Sequence, residues 1–505
     1  MKAEKIIELN DLVGICKKEK KNDKKIVLSY GCFDLIHPGH IRHLKAAKKY
    51  GDILVVCITP DKYVDKGPGR PVFNEHLRTE SVSSLSDVDF VALNKWDNPA
   101  KLIEYLKPNF YVKGKDYSER SEEFTSTLIQ EEKALRKVNG EMRFTDEITF
   151  SSSSIINERF DVLSKEAKEY IKELKQEYDF KKIIEILKGL NELKVLVIGD
   201  VILDEYIFCR AMGKPEKAAV VSTKQLYSEI YAGGSLAVAN HISGFVNKVH
   251  LVSCIGNDGC EEFIREKLRN NIDTKLFYQK NAPTITKTRY IEKSEKSKLF
   301  EISKINDEFI DRDLEKSIVE YLKKAIPKYD MVLVTDFGHG LITKNIQYII
   351  EDKSSFTAVN AQTNSANFGF NLITKYKNVD YISIDERELR LPYREKYGEV
   401  EPLITKISND TKCKKINITL GGYGSIFCQN KKTYFAPIFS TNVVDSVGAG
   451  DAVLAITSLL AKREVSPRLI PFVGNSVGAL AVKTIGNKEP VDPAKLFTFV
   501  KYIMK

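Results

Sequence analysis

Residues 29–40 read SYGCFDLIHPGH and residues 443–455 read VVDSVGAGDAVLA, and these two stretches decide the fold. In the first, a β-type run leads into two histidines around Pro38-Gly39, where a helical pattern begins. In the second, three small residues precede an apolar helical run. Backbone amides at a helix N-terminus bind phosphate groups, so each stretch indicates a phosphate-binding turn between a strand and a helix. Two turns of unlike design predict two unlike α/β domains.

Outward from the first turn, short β-type runs alternate strictly with helical patterns. Such alternation predicts a Rossmann-like α/β domain, with a parallel, doubly wound sheet. Ligands of such sheets bind at the carboxyl ends of the strands, where this turn lies. The strand candidates are residues 26–31, 53–59, 89–94, 110–114 and 142–145.

Composition shifts divide the rest of the chain. Residues 1–25 are predicted as a helical extension, and residues 26–160 as the first α/β domain. Residues 161–192 are rich in Lys and Glu and predict a helical linker or docking helix. Residues 193–505 again alternate β and α patterns, which predicts a second α/β domain. Within it, VVSTKQLYSEIY (residues 220–231) is extended and predicts a small β lid.

The overall composition is that of a globular protein, with 505 residues, 43% apolar residues and a net charge of +9. Basic residues do not interleave with aromatic ones in a stripe, so we expect no nucleic-acid partner. No apolar run has the length of a membrane span and the N-terminus lacks a signal-peptide core, so we expect no membrane partner. The eight cysteines show neither CxxC pairs nor zinc spacing, which predicts free thiols and a cytoplasmic location.

In the first turn, His37 and His40 lie three residues apart, so both rings can face one point. Imidazole N–H groups can donate to phosphate oxygens and stabilise charge on a phosphorus under attack. Gly39 permits close approach of the backbone to the ligand. A lone pair of histidines is more often structural, but this spacing at a strand–helix junction favours a catalytic site.

The stretch resembles the HxGH nucleotidyltransferase superfamily, which includes cytidylyltransferases and heptose-phosphate adenylyltransferases, over residues 26–160. The resemblance implies a nucleotide- and phosphate-binding set drawn from GCFD, KGPGRPV, EHLR, VKGKDY and SSSSII, although Lys115 replaces a glycine. An N-cap cluster is the alternative interpretation of the serines. The implied set is Cys32, Phe33, Gly39, Lys66, Arg70, Arg78, Lys113, Asp116, Ser151, Ser152 and Ser153.

The activity implied by that resemblance joins a phosphorylated acceptor to a nucleoside triphosphate and releases pyrophosphate. It depends on positioning, charge neutralisation and a Mg²⁺ ion that arrives with the nucleotide. The KGKDY element favours ATP, and CTP stays open because cytidylyl transfer uses the same scaffold.

In the second turn, the backbone amides of Gly448, Ala449 and Gly450 can form an anion nest, and Asp451 can accept the proton of an attacking hydroxyl. A helix-capping role is the alternative for Asp451. This turn resembles the signature of ribokinase-type (PfkB) sugar kinases, and the resemblance covers residues 194–505. It implies that sugar is bound by Asp200, Asp204, Gly233 and Gly234. It implies that metal and phosphate are bound by Asp385 and Glu388. It implies that nucleotide is bound by Thr419, Gly421 and Gly424.

Two segments depart from the kinase pattern. Ala237 stands where the family has a sugar-binding Asn, and VNAQTNSANFGFN (residues 359–371) replaces a DPKG segment. The latter is either a loop without function or a reshaped acceptor pocket.

Together the halves resemble bifunctional heptose kinase/adenylyltransferases of lipopolysaccharide-precursor synthesis, in reversed order. The resemblance implies that a sugar is phosphorylated and then activated as its nucleoside diphosphate derivative. The alternative is a single-function transferase whose kinase-like half only binds or dimerises. Related kinases pair through their β lids, so a homodimer is expected from the resemblance alone.

Overall fold

The computed structural model describes residues 5–64, 69–114, 122–145, 163–213, 220–294, 297–306, 308–440 and 443–504, with the backbone alone over residues 122–127. The chain divides into two compact units. Residues 1–163 and 497–505 form the first unit, and residues 164–496 form the second.

The first unit is built on a five-stranded sheet in the order β3-β2-β1-β4-β5, with every neighbouring pair parallel. Strand β2 is buried over its whole length, as a strand covered by helices on both faces must be. The predicted doubly wound sheet is therefore confirmed. The strands are β1 (Ile26–Gly31), β2 (Ile53–Ile58), β3 (Phe90–Leu93), β4 (Phe110–Gly114) and β5 (Glu141–Thr145).

Helices cover this sheet with two apolar clusters. Helix α1 contributes Leu9, Leu12 and Cys16 to one of them. Helix α2 contributes Leu44 and Ala47 to the other. The helices of the first unit are α1 (Leu9–Lys21), α2 (Pro38–Lys48), α3 (Glu75–Ser83), α4 (Pro99–Leu106) and α5 (Glu122–Lys137).

The second unit contains a nine-stranded sheet in the order β10-β9-β6-β13-β14-β15-β16-β17-β18. Pairing is parallel up to β16, and the last two pairs are antiparallel. The strands are β6 (Lys194–Gly199), β9 (Lys248–Gly256), β10 (Ile272–Gln279), β13 (Met331–Asp336), β14 (Thr357–Ala361), β15 (Tyr381–Asp385), β16 (Lys415–Thr419), β17 (Ser425–Gln429) and β18 (Lys432–Ala436).

A separate four-stranded sheet, in the order β12-β11-β7-β8, forms the predicted β lid. Its strand β8 contains most of the stretch predicted as extended and continues to Gly234. The lid strands are β7 (Val201–Gly213), β8 (Ser222–Gly234), β11 (Thr286–Glu292) and β12 (Ser297–Lys304).

Helices α6 and α7 occupy the Lys- and Glu-rich stretch and belong to the second unit. The hydroxyl of Tyr170 on α6 donates to the carbonyl oxygen of Arg468 at 2.6 Å, which fixes the helix to its unit. The helices of this unit are α6 (Lys165–Glu177), α7 (Phe180–Lys188), α8 (Ser235–Ser243), α9 (Glu261–Lys267), α10 (Arg312–Ala325), α11 (Lys344–Lys353), α12 (Glu386–Arg390), α13 (Glu401–Thr411), α14 (Ala449–Lys462), α15 (Leu469–Ala481) and α16 (Pro493–Ile503), which ends in the first unit. None of the helices within the described ranges combines the length and apolarity that a membrane crossing requires.

Candidate active sites

The two histidines of the first turn lie side by side at the start of α2. His37 caps this helix, and its Nδ1 accepts a hydrogen bond from the Gly39 amide at 3.1 Å. Because Nδ1 is an acceptor, the proton of the neutral ring lies on Nε2. Burial lowers the pKa of His37, which favours that neutral form. The rings of His37 and His40 stack with centroids 4.0 Å apart, so the pair can present two donors to one anion.

The loop before α2 has an unusual backbone. Phe33 and Leu35 both have positive φ angles, of 50° and 47°, in the left-handed region. The buried Asp34 between them accepts from the amides of Val72 and Phe73, at 2.8 and 3.1 Å. This carboxylate ties the HxGH loop to the segment that carries the predicted Arg70. The sequence analysis did not single out Asp34, because its partners lie nearly forty residues away.

Arg78 is fully buried, and all its N–H groups are engaged. Its guanidinium donates to the carbonyl oxygens of Phe73, Cys32 and Thr59 at 2.9, 2.5 and 2.8 Å. It also contacts the Cys32 sulfur and pairs with Asp61 at 2.6 Å. An arginine has five N–H donors, so this set leaves none for phosphate. The structure therefore favours an architectural role for Arg78, and for Cys32 beneath it, over the predicted contact with nucleotide.

Two further predicted cations of the first unit have protein partners. The ammonium group of Lys113 forms an ion pair with the buried Glu131 at 2.6 Å. The Arg70 guanidinium lies over the Tyr502 ring, 5.6 Å from its centroid. Phe33 packs against His40 with ring centroids 5.4 Å apart.

The remaining predicted members of this site lie outside the described residues: Lys66, Asp116, Ser151, Ser152 and Ser153.

In the second unit, the small-residue turn starts helix α14. Gly448 is the N-cap, and its φ of 82° favours glycine. A Cβ at this position would lie 2.0 Å from Oδ1 of Asn487, so the turn also needs glycine for space. By contrast, nothing lies within 4 Å of a Cβ built on Gly450, so the neighbouring space is open. The turn can therefore receive an anion at Gly450, while the Ala449 amide donates to the Ser446 carbonyl oxygen at 3.3 Å and the Gly448 side is packed.

Asp445 supports this turn from behind. The buried carboxylate accepts from the amides of Val447 and Gly486 at 3.2 and 3.0 Å. It also pairs with Lys298 of lid strand β12 at 2.8 Å. The sequence motif contains Asp445, but its spacing carries no sign of a partner in the lid.

Asp451, the predicted base, lies in the first turn of α14. Burial, reinforced by the carboxylate of Asp204 and opposed by Lys287, raises the pKa of Asp451 to about 7. A base whose pKa lies near neutrality is well matched to accept a proton from a hydroxyl at physiological pH.

Asp204, predicted to bind sugar, is held inside the lid. Its Oδ1 lies 2.5 Å from the Arg289 guanidinium on β11. Arg289 is also paired with Glu301 of β12 at 2.8 Å. The predicted contact of Asp204 with sugar thus competes with its buried ion pair to Arg289. The sequence does not indicate this pair, because Asp204 and Arg289 are 85 residues apart.

Asp200 follows strand β6 and is almost completely buried. Its Oδ2 accepts from the backbone amides of Phe337 and His339 at 3.1 and 3.3 Å. Burial and the nearby Asp336 carboxylate raise the pKa of Asp200 to about 7. Asp336 in turn accepts from the Tyr376 hydroxyl at 2.7 Å. Carboxylates from two neighbouring strands, β6 and β13, therefore meet at one end of the sheet.

Gly233 and Gly234, also predicted to bind sugar, allow the chain to pass close to both aspartates. A Cβ on Gly233 would lie 2.1 Å from Oδ2 of Asp204. A Cβ on Gly234, whose φ is 56°, would lie 2.5 Å from the carbonyl oxygen of Asp200. Glycine at these positions brings Asp200, Asp204 and the start of α8 together.

The predicted nucleotide turn joins two antiparallel strands. Thr419 ends β16 and pairs in register with Ser425 of β17. Gly421 and Gly424 both have positive φ angles, of 57° and 119°. A Cβ on Gly424 would lie 2.1 Å from the carbonyl oxygen of Ala436, so this turn requires glycine.

Asp385 and Glu388, the predicted metal pair, form a capping box at the start of α12. Asp385 accepts from the Glu388 amide at 2.7 Å, and Glu388 accepts from the amides of Asp385 and Thr363, both at 3.0 Å. The pKa of Glu388 is raised by burial, then by repulsion from Asp385 and more weakly from Asp451. A cation would relieve this repulsion, so the pair fits a Mg²⁺ ion that is shared with substrate phosphates. The described residues contain no group of three or more protein ligands that could hold a metal alone.

The amide-rich segment that replaces DPKG packs on the turn after β13. Side-chain amides of Asn364 and Asn367 both donate to the Phe337 carbonyl oxygen, at 2.8 and 2.7 Å. The Asn371 amide donates to the Asp336 carbonyl oxygen at 2.9 Å. These asparagines thus hold the loop that binds Asp200, which gives the segment a defined supporting role.

Comparison with known proteins agrees with this geometry. The family model described as pfkB family carbohydrate kinase matches residues 192–494, more than half of the chain. This chain belongs to the pfkB carbohydrate kinase family. In this pfkB-family chain, the family model described as Cytidylyltransferase-like matches residues 28–159. The predicted combination of a nucleotidyltransferase-like domain followed by a PfkB domain is therefore confirmed.

Curated relatives match the transferase region. Bifunctional protein HldE of Geobacter metallireducens is 45% identical over 116 residues, which cover 23% of this chain and 24% of that protein. Bifunctional protein HldE of Campylobacter jejuni is 46% identical over 103 residues, which cover 20% of this chain and 22% of that protein. The match thus spans about a quarter of these relatives' length.

Among solved structures, phosphofructokinase-2 from Escherichia coli in complex with fructose-6-phosphate aligns with a TM-score of 0.50 and 14% identity. The alignment covers 61% of this pfkB-family chain and 99% of that structure. The tetrameric inhibited form of the same enzyme gives the same TM-score at 12% identity and the same coverage. At this identity the likeness concerns the fold alone.

Proposed function

We propose that this chain is a bifunctional enzyme that phosphorylates a sugar in its second unit and nucleotidylates a sugar phosphate in its first. The products are a nucleoside diphosphate sugar and pyrophosphate, with ATP as the favoured nucleotide and CTP as the alternative. The observation that carries the proposal is the raised pKa of Asp451 beside an open anion turn, on the same chain as the stacked His37–His40 pair. A heptose-like acceptor is part of the proposal, and it rests on the resemblance of both halves to heptose kinase/adenylyltransferases.

In the first unit, the Nε2–H of neutral His37 and the ring of His40 bind the α-phosphate of the nucleotide. Attack by an oxygen of the acceptor phosphate on that phosphorus forms the new phosphoanhydride, and pyrophosphate leaves. Both histidines stabilise the charge that builds on the phosphoryl oxygens, with no protein nucleophile.

In the second unit, Asp451 accepts the proton of the sugar hydroxyl as the hydroxyl oxygen attacks the γ-phosphorus of ATP. The bond between the β- and γ-phosphates breaks, and ADP leaves. The amide of Gly450 binds the transferring phosphoryl group, since the space beside it is open. Asp200 and the Gly233-Gly234 backbone position the acceptor. Asp385 and Glu388 would hold Mg²⁺, which supplies charge neutralisation for the phosphates.

A product assay with two matched variants tests the proposal. Asp451→Asn keeps the shape of the helix start and removes the base, so ADP formation from the unphosphorylated sugar should be lost. Pyrophosphate release from the sugar phosphate should persist. His40→Asn should give the opposite pattern. Loss of both activities in either variant, with unchanged circular dichroism, would contradict two independent sites.

The pH dependence of ADP formation gives a second test. Asp451 must be ionised to act as a base, and its pKa is raised to about 7. The rate should therefore fall about tenfold per pH unit as the pH decreases below 7, and level off above it. A rate independent of pH between 5.5 and 8 would rule out Asp451 as the base.

One observation favours the alternative of a non-catalytic kinase-like unit. Ala237 supplies no amide where the family pattern has its sugar-binding Asn. Under this alternative, pyrophosphate forms from the sugar phosphate but no sugar in a broad panel yields ADP. ADP from any acceptor, lost in Asp451→Asn, would eliminate it.

We also propose that the β lid pairs two copies of the chain. Phe300 and Ile302 on β12 are 51% and 53% exposed. Side chains alternate along a strand, so both lie on the face opposite Glu301, the partner of Arg289. Light scattering of the full chain should show a dimer that Phe300→Lys dissociates and that Tyr348→Lys, at an exposed aromatic residue on α11, preserves. A monomeric wild-type protein at micromolar concentration would refute the pairing.

A further inference from the structure

The last turns of α16 belong to the first unit, far along the chain from the sheet of that unit. Phe499, Val500 and Ile503 lie at helical spacing on α16 and are at most 2% exposed. A buried apolar stripe fixes the rotation of a helix about its axis, so the side chains beside the stripe start from fixed positions. Tyr502 is one of these side chains, and it is half-buried.

The Tyr502 ring contacts Arg70, which the sequence predicts as a phosphate-binding residue. The central carbon of the Arg70 guanidinium lies over this ring, 5.6 Å from its centroid. Burial lowers the pKa of Arg70, and the nearby Tyr502, Asp34 and Cys32 oppose this effect. The guanidinium therefore has both α16 and the HxGH loop as neighbours.

The backbone that follows Arg70 is fixed to the HxGH loop. The Asp34 carboxylate accepts from the amides of Val72 and Phe73, at 2.8 and 3.1 Å. Asp34 is itself part of the loop that leads into His37. The Arg70 cation thus lies in a segment that is held beside the proposed binding turn for the nucleotide phosphates.

Arg70 and Arg78 are held by contacts of different kinds. Arg78 donates its N–H groups to carbonyl oxygens, to a sulfur and to a carboxylate. The contact of Arg70 with Tyr502 is an attraction between a cation and the face of a ring, so it requires no hydrogen-bond acceptor. An aromatic ring can therefore orient an arginine without using the paired N–H donors that a phosphate group needs.

We propose that Tyr502 is a positioning residue of the transferase site, which holds the Arg70 guanidinium toward the phosphates of the nucleotide. Arg70 makes the contact with phosphate, and Tyr502 acts through Arg70. A long side chain that is oriented before binding loses less conformational freedom when the ligand arrives, which strengthens binding. The proposal rests on the proposed transferase function of the first unit.

Steady-state pyrophosphate release by the full chain tests this role, with the nucleotide as the varied substrate. Tyr502→Leu removes the ring and should raise the KM for the nucleotide about fivefold, with little change in kcat. Tyr502→Phe keeps the ring and should match the wild type. Tyr105→Leu is the matched control, because Tyr105 lies on α4 and its hydroxyl bonds to Asn10 of α1 at 3.0 Å. Melting curves of the variants serve as folding controls.

A double-mutant cycle separates positioning from a general effect on the fold. Arg70→Met should raise the same KM, and Tyr502→Leu should raise it no further when Arg70 is already Met. If Tyr502 only stabilised the first unit, its effect would persist in the Arg70→Met background. Such an additive effect, or a wild-type KM for Tyr502→Leu, would overturn the proposal.

Chemical modification provides a readout that does not depend on catalysis. Phenylglyoxal modifies guanidinium groups, and peptide mass spectrometry reports its reaction at Arg70 alone. Pyrophosphate, the probe for phosphate binding, should protect Arg70 in the wild type and in Tyr502→Phe, and Tyr502→Leu should require about fivefold more of it. Absence of protection in the wild type would contradict the positioning role. Protection that depends on Tyr502, in a chain that releases no pyrophosphate from any sugar phosphate, would support the positioning role and refute the proposed transferase function.

Discussion

The carboxylate of Asp200 should make the second unit less stable as the pH rises, and Asp200→Asn should remove this effect. The pKa of Asp200 is raised from its ordinary value of 3.8 to about 7. Between these values the folded chain holds a proton that the unfolded chain has released. Stability therefore falls as the pH increases from about 4 to 7.

The size of the effect follows from the displacement of the pKa. One pKa unit corresponds to about 1.4 kcal/mol, so the ionised carboxylate costs the second unit about 4 kcal/mol at pH 8. An asparagine can still accept from the Phe337 and His339 amides, which both donate to one oxygen of Asp200. Its NH₂ group also avoids the repulsion from Asp336. Asp200→Asn should thus stabilise the second unit by up to about 4 kcal/mol at pH 8, and change little at pH 4.

Native-state hydrogen exchange with mass spectrometry measures this effect locally, on peptides from β6 and β13. The single tryptophan, Trp96, lies in the first unit, and its fluorescence serves as the internal control. Parallel pH profiles for the wild type and Asp200→Asn would refute the reasoning. A destabilised variant at pH 8 would show that the carboxylate is worth more as a hydrogen-bond acceptor than it costs as a buried charge.

Three further changes have defined outcomes. Gly448→Ala places a Cβ 2.0 Å from Asn487 at a positive φ, and should abolish ADP formation, while Gly450→Ala should fold normally in thermal melts. Arg78→Met leaves three buried carbonyl oxygens without their donor and should destabilise the first unit by about 3 kcal/mol or more, seen in urea unfolding by Trp96 fluorescence. Arg289→Met removes the partner of the buried Asp204 carboxylate and should destabilise the lid by about 3–5 kcal/mol. Hydrogen exchange in β7 and β11 should then become faster. Unchanged exchange would contradict the buried-pair argument.

The sequence predicted the strands of the first unit well, because parallel strands covered on both faces are nearly continuous apolar runs. Strand β2, buried at every position, is the plainest case. The two phosphate turns were also predictable, since each is a local arrangement of a strand end, small residues and a helix start. His37 caps α2 within this local pattern.

What the sequence could not predict are contacts between distant segments. The sequence predicts Arg78 as a phosphate-binding residue on a helix, yet the fold surrounds its guanidinium with carbonyl oxygens from other segments. Asp204 reads as a sugar ligand, and only the pairing of β7 with β11 brings Arg289 beside it. The sequence predicts Glu388 as a metal ligand, and only the fold brings the Thr363 amide, 25 residues away, to its second carboxylate oxygen. No local pattern encodes such partners.

The ion pair between Lys298 and Asp445 couples the lid to the small-residue turn. Asp445 holds the amides that shape the small-residue turn, and its cationic partner comes from a lid strand. A displacement of β12 that removed Lys298 would leave this buried carboxylate uncompensated and would loosen the turn. Under the proposed kinase function, this coupling would limit the reaction of the γ-phosphoryl group with water while the lid is displaced.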